Sequence, residues 1–98
     1  MKVTFDPAAS DDLDRGFEWI GRDSPRAASE LIARIEAKVT RLATPELTYM
    51  GRPGLVEGTR ELLEWPYIIV YKVYEDVGEI VILSVVHGAQ DREKERER

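Results

Sequence analysis

The apolar positions change period along the chain, and each change predicts an element. Val3 and Phe5 alternate with polar neighbours over Lys2 to Phe5, the pattern of a short edge or second-row strand, closed by Asp6-Pro7. From Ala9 the period lengthens. Ala9, Leu13, Phe17 and Ile20 recur at helical spacing, and Asp11, Asp12 and Asp14 crowd the early turns, where carboxylates suit the helix dipole. Trp19 falls roughly 100° or more off that stripe at about 100° per residue, so it either packs against a second helix, the plainer reading, or is exposed for a partner. Ser24-Pro25 opens that second helix, with a hydroxyl N-cap and a proline at the first helical position, where its missing N–H costs nothing. Ala28, Leu31, Ile32, Ile35, Val39 and Leu42 then share one stripe, and Glu30 and Arg34 are spaced for a solvent-side i,i+4 pair. Thr44-Pro45 stops the helix, and Gly51, Pro53 and Gly54 keep the following loop irregular.

Beyond the loop the period falls to two. A first strand is predicted around Thr59 to Leu63, then a break at Pro66, then a long hairpin turning at Asp76-Val77-Gly78. In Tyr67 to Tyr74 one face carries Tyr67, Ile69, Tyr71 and Val73, and the other carries Ile68, Val70, Lys72 and Tyr74. In Glu79 to Val86 one set is Val81, Leu83 and Val85, and the other is Ile80, Ile82, Ser84 and Val86. Both faces are largely apolar, whereas a helix pair can cover only one face of an antiparallel sheet. The second face therefore needs another cover, for which the C-terminal tail, a homodimer contact and a separate partner are the candidates. The order of elements predicts an α+β domain: a strand, a two-helix hairpin, and a three- to four-stranded antiparallel sheet with the helices on one face. Residues 1–90 form that single domain, and 91–98 are a charged tail, either a short helix or disordered.

Composition narrows the function. Ninety-eight residues make one small domain. The absence of cysteine excludes disulfides, thiolate metal sites and a thiol nucleophile, and fits a reducing cytoplasm. No apolar run reaches signal-peptide or membrane-helix length, which predicts a soluble cytoplasmic protein. Fourteen basic against 19 acidic side chains give a formal charge of −5, the wrong sign for a protein that holds nucleic acid through its phosphates. Direct nucleic-acid binding is not expected. Nucleotide-binding loops, paired-histidine metal motifs and nucleophile elbows are absent from the sequence, so no metal and no cofactor is implied.

A few residues could carry chemistry. His87, the one imidazole of the chain, sits at a strand end before Gly88 and could serve as general acid or base, its plainer reading being a strand-end histidine bonded to a backbone carbonyl. Arg52 and Arg60 are the most plausible functional cations, and the alternative for Arg60 is a sheet arginine paired with Glu61, Glu64 or another carboxylate. Tyr67, Tyr71 and Tyr74 could be mistaken for a base-stacking platform, but Tyr67 and Tyr71 are interleaved with Ile69 and Val73 rather than with cations, which favours core or partner contact.

In order and approximate spacing, Gly51-Arg52-Pro53-Gly54, Gly58-Thr59-Arg60-Glu61-Leu62, Pro66-Tyr67-Ile68-Ile69-Val70-Tyr71 and His87-Gly88-Ala89-Gln90 resemble ParE-type toxins of the RelE/ParE superfamily. That resemblance covers nearly the whole chain. It implies a first strand lying beside the last and a type II toxin neutralised by a cognate antitoxin, ParD-like or similar. Trp19, Tyr67, Ile69, Tyr71, Val81 and Leu83 are then candidate antitoxin contacts, and Arg52 and Arg60 candidate target contacts. ParE-like members act on DNA gyrase, stabilising its cleaved DNA complex, so the expected activity is inhibition by binding. Two alternatives stand: a RelE-like ribosome-dependent mRNA endoribonuclease using Arg60 and His87, or a toxin that has lost toxicity and persists as antitoxin partner. Leu55 and Glu57, in a loop that often carries arginine and proline, and Ser84, where the last strand often carries arginine, remove positive charge and weigh against the nuclease.

Overall fold

The structure is a computed structural model, and residues 1–88 are described. The charged tail expected at 91–98 lies outside them. The elements run β1 (Lys2–Phe5), α1 (Pro7–Gly21), α2 (Pro25–Arg41), a 3-10 turn (Pro45–Leu47), β2 (Arg52–Pro53), β3 (Arg60–Glu64), β4 (Tyr67–Tyr74) and β5 (Glu79–His87).

Both helices start where local chemistry dictates. The Asp6 carboxylate accepts the Ala8 N–H at 2.9 Å and the Ser24 hydroxyl accepts the Ala27 N–H at 3.1 Å, with Pro7 and Pro25 opening the first turns. Because α1 begins at Pro7, Asp11, Asp12 and Asp14 fall beyond its first turn, where the dipole's pull has faded. Asp12 is used differently, as the site below shows. The pair expected between Glu30 and Arg34 does not form: Glu30 pairs with Arg26, while Arg34 and Lys38 reach Glu64 on β3 at 3.5 and 3.7 Å.

The sheet has five strands in the order β1-β5-β4-β3-β2 and is mixed, since β1 joins β5 in parallel and every other pairing is antiparallel. The expected adjacency of first and last strands holds. Alternation along β5, however, is broken. Val70 pairs with Ser84 but Tyr71 pairs with Ile82, leaving Leu83 as an extra residue, a β-bulge that shifts the side-chain parity. Ile80 and Ile82 before the bulge, and Val85 after it, therefore all join the core formed with Leu62, Tyr67, Ile69 and Tyr71 and with the α2 stripe Leu31, Ile35, Val39 and Leu42. The second face is partly covered by the chain itself. The loop from Gly54 to Thr59, closed by Gly54 N–H on Thr59 O at 2.9 Å, places the largely exposed Leu55 and Val56 on one side of a pocket whose other side is Val70, Leu83, Ser84 and Val86.

The loop leaving α2 is pinned to the sheet by Tyr71. Its hydroxyl donates to Thr48 O at 2.9 Å and accepts the Gly51 N–H at 3.1 Å, and the Thr48 hydroxyl donates to Leu42 O at 2.9 Å. Gly51 is required by this approach: a Cβ there would lie 2.6 Å from Glu61 O and 2.9 Å from the Tyr71 hydroxyl.

Candidate functional site

The candidate residues divide between two ends of the sheet. At one end lie Arg52 and Arg60. Arg60 faces the helix side of β3, where its guanidinium donates to Tyr49 O at 3.0 Å and to Gly51 O and lies 5.6 Å from the Tyr49 ring centroid. The carboxylate pairing weighed for it is not what forms; its partners are carbonyls, and its job here is to tie β3 to the loop after α2. The Tyr49 hydroxyl in turn donates to Glu75, which raises the tyrosine above its ordinary value, because ionisation would lose that bond and set two anions together. Arg52 sits on the edge strand β2 and reaches Glu61 at 3.1 Å, with about half of the arginine side chain exposed and the carboxylate buried.

At the other end is a groove of about 480 Å³ lined by Asp12, Arg15, Gly16, Trp19, Tyr67, Val85 and His87. Strand β1 pairs with β5 only as far as Ile82, so the edge of β5 beyond it meets α1 instead. One Asp12 oxygen accepts the Val85 N–H at 2.9 Å, and the other pairs with Arg15. This explains the carboxylate on the core side of an amphipathic helix: it supplies the acceptor that a neighbouring strand would have given. Tyr67 stands across from His87, its ring edge-on at 5.7 Å between centroids, and its hydroxyl fits beside Gly16, where a Cβ would approach to 3.1 Å. Trp19 is 68% exposed on the rim, with Arg22 stacked 5.8 Å from its ring centroid; packing of Trp19 against the second helix, the plainer expectation, does not occur.

Of the other expected partner contacts, Ile69 and Tyr71 have no accessible surface and belong to the core. Tyr67 is 8% exposed and meets the groove by its edge, while Val81 and Leu83 remain half-buried on the second face of β5. The structure also separates the two residues that a nuclease would need together. His87 pairs with Tyr67 and Arg60 with Tyr71, four positions apart along β4 and on neighbouring strands to either side, which is on the order of 13 Å along the strand alone. Sequence reasoning missed Asp12, whose partner is 73 residues away; its place on the buried side of an otherwise apolar stripe was the available signal. Among the described residues no group of acidic or histidine side chains is arranged to hold a metal ion, and no helix is long and apolar enough to cross a membrane.

A five-stranded mixed sheet with a helical hairpin on one face is an architecture shared with solved toxin–antitoxin proteins of the ParE and RelE kind. Comparison with known proteins carries this to the family. Residues 3–92 match the model of the ParE toxin of type II toxin–antitoxin systems (parDE), and the chain belongs to that family. It is 42% identical over 80 residues to a Sinorhizobium fredii protein named "Putative toxin Y4kP", spanning 80% of this chain and 78% of that one. Among solved structures it resembles a chain of the chromosomal ParDE TA system from P. aeruginosa, with a TM-score of 0.75 and 27% identity, over 89% of this chain and 95% of that one. A chain of the toxin–antitoxin complex RelBE2 from Mycobacterium tuberculosis shares the fold, at a TM-score of 0.58 and 23% identity over 88% and 95%.

Proposed function

We propose that this ParE-family toxin acts in the cytoplasm as a binding inhibitor of DNA gyrase and is held inactive by a cognate antitoxin. The observation that carries the non-nucleolytic reading is the separation of His87 from Arg60, together with the commitment of Arg60 to the carbonyls of Tyr49 and Gly51. Cleavage of RNA through its 2′-hydroxyl needs an acid, a base and a cation within reach of one phosphate. Here the imidazole faces Tyr67, and Arg15, the cation in the lining of its groove, is paired with Asp12. The net charge of −5 points the same way, because a phosphate-binding surface would be expected to carry a positive field.

In this reading Arg52, exposed on the sheet edge, is the target contact, and Arg60 positions the loop that presents it. The antitoxin contributes contacts to Trp19 and the groove beside it, and to the half-open second face at Val81 and Leu83. The solved relatives with this fold come from toxin–antitoxin systems, which supports a protein partner for these surfaces. Induced expression without the antitoxin tests the proposal: DNA synthesis should stop first, with bulk mRNA intact. Early cuts within codons of ribosome-bound mRNA would replace gyrase inhibition by the nuclease reading.

A further inference from the structure

Leu55 and Val56 are 64% and 69% exposed, yet the loop that holds them is not slack. Besides the backbone bond from Gly54 to Thr59, Val56 O accepts the Thr59 N–H at 3.1 Å and the Thr59 hydroxyl at 2.6 Å. Gly58 turns the chain at φ +85°, and a Cβ on Gly54 would lie 2.2 Å from Thr59 Oγ1, so neither glycine can be exchanged without moving the loop. The pocket between these two side chains and Val70, Leu83, Ser84 and Val86 measures about 230 Å³, with Thr59 and the buried Glu61 also in its lining. Two cations stand beside it. Arg52, just before the loop, has 54% of its side chain exposed and holds Glu61 through Nε at 3.1 Å. Lys72 approaches the other end, where a Cβ at Gly58 would lie 3.8 Å from its Cε and 4.0 Å from its Nζ. Among the described residues Lys72 pairs with no carboxylate and lies 5.2 Å from the Tyr74 ring centroid. Against these two cations the loop carries one exposed acid, Glu57.

Resting on the reading that the toxin binds gyrase with Arg52 as a contact, we infer that this pocket seats an aliphatic side chain of a gyrase segment that carries carboxylates to either side of that residue. Two aliphatic side chains fixed in water by a hydrogen-bonded loop are apolar surface that burial against a partner would recover, and because the loop is already ordered, binding loses little conformational entropy. The pocket is smaller than those that enclose a drug-sized ligand, about 300–1,000 Å³, so it takes a side chain. Charge specifies the neighbours of that side chain. Arg52 meets Glu61 through Nε and, as a fork of five N–H groups, can donate to a second carboxylate as well. Lys72 has none of its own and supplies the other contact. A basic segment would set like charge against both. Arg52 borders the pocket and is the assigned target contact, which makes the target its occupant. Leu83 also belongs to the surface assigned to the antitoxin, so a segment seated here and an antitoxin on Leu83 exclude one another.

Purified gyrase is the probe, and binding is measured on immobilised toxin. In Leu55→Ser/Val56→Ser the affinity should fall by about thirtyfold or more, as loss of an anchor does. In Lys72→Glu it should fall by about tenfold, with a weaker salt dependence of association, because the charge acts on encounter. Val77→Ser, which removes a largely exposed aliphatic side chain at the hairpin turn, should bind as the unaltered toxin does. Leu55→benzoylphenylalanine, irradiated in the complex, should attach to a gyrase stretch that joins an aliphatic residue to Asp or Glu; attachment to a basic stretch would overturn the inference. Thermal melts establish that each variant is folded, and Lys72→Glu keeps the test open if the double variant is not. If the unaltered toxin binds no gyrase, the gyrase reading fails and this inference with it. If it binds, and Leu55→Ser/Val56→Ser and Lys72→Glu bind with unchanged affinity, the pocket assignment is wrong while the gyrase reading stands. A double variant that keeps gyrase but loses the antitoxin, or loses a toxin dimer, would give the pocket to that occupant and overturn the inference.

Discussion

Removal of one oxygen, in Tyr71→Phe, should show how firmly the loop carrying Arg52 is tied to the sheet. The hydroxyl has no accessible surface around it; it donates to Thr48 O at 2.9 Å and accepts the Gly51 N–H at 3.1 Å. Phenylalanine keeps the ring and its packing but leaves a buried N–H without this acceptor, a loss of about 1–3 kcal/mol, and a buried carbonyl without this donor, about 1 kcal/mol more. The expected total is about 3 kcal/mol. For a domain of this size each kcal/mol moves the midpoint by about 4–8 °C, so the melting temperature should fall by roughly 12–24 °C. Tyr74→Phe, on a half-buried ring at the end of the same strand, is the control and should stay within about 0.5 kcal/mol. Urea denaturation with the two-state slope held common gives the energies, and amide exchange at Gly51 locates the effect. A Tyr71→Phe loss below about 1 kcal/mol, with Gly51 exchange unchanged, would refute the anchoring argument.

Arg60→Ala should lower stability by about 1–3 kcal/mol, through the carbonyls of Tyr49 and Gly51, and toxicity should fall in step with it; Arg60→Lys, lacking the planar fork, should not restore both. Reduced toxicity with an unchanged urea midpoint would instead make Arg60 a direct target contact. His87→Gln should leave toxicity within a few-fold of the unaltered protein, measured as growth arrest per molecule expressed, whereas loss of general acid–base chemistry would cost about 10²-fold or more. Trp19→Ala should not change the melting midpoint by more than about 0.5 kcal/mol but should weaken the antitoxin complex by on the order of 30-fold, measured by calorimetry. Tyr49 should ionise above the ordinary tyrosine value, because its proton is held by Glu75 in the folded state; its contribution is complete below the unfolded value and is lost as pH rises through the folded one. In Glu75→Ala a ring-labelled NMR titration should find Tyr49 ionising at lower pH, and an unchanged titration would contradict the assigned cause.

The legible parts of this fold were those set by neighbours in sequence. Asp6-Pro7 and Ser24-Pro25 announce their helices because an N-cap acts within three residues, and the α2 stripe announces its buried face because helical periodicity is local. What stayed hidden depends on contacts made across the chain. Leu83 looks like any alternating strand residue, and only its register against Val70 and Tyr71 makes it a bulge and turns Val85 to the core. Asp12 reads as a helix-dipole carboxylate until the end of β1 leaves the Val85 N–H in need of an acceptor. Arg60 points to nearby carboxylates because charge is visible in a sequence, while the carbonyls that hold it belong to the backbone of a loop. For the same reason Ile69 and Tyr71 were indistinguishable from partner contacts: an apolar hairpin with two apolar faces does not say which face the helices take.

The most direct measurement mixes the purified toxin with DNA gyrase and supercoiled plasmid, and in parallel with translating ribosomes and mRNA. Gyrase-cleaved DNA should rise with dose and be suppressed by the antitoxin and by Arg52→Ala, while the mRNA pattern stays unchanged from the control. Codon-phased mRNA cleavage that His87→Gln abolishes, with gyrase unaffected, would contradict it.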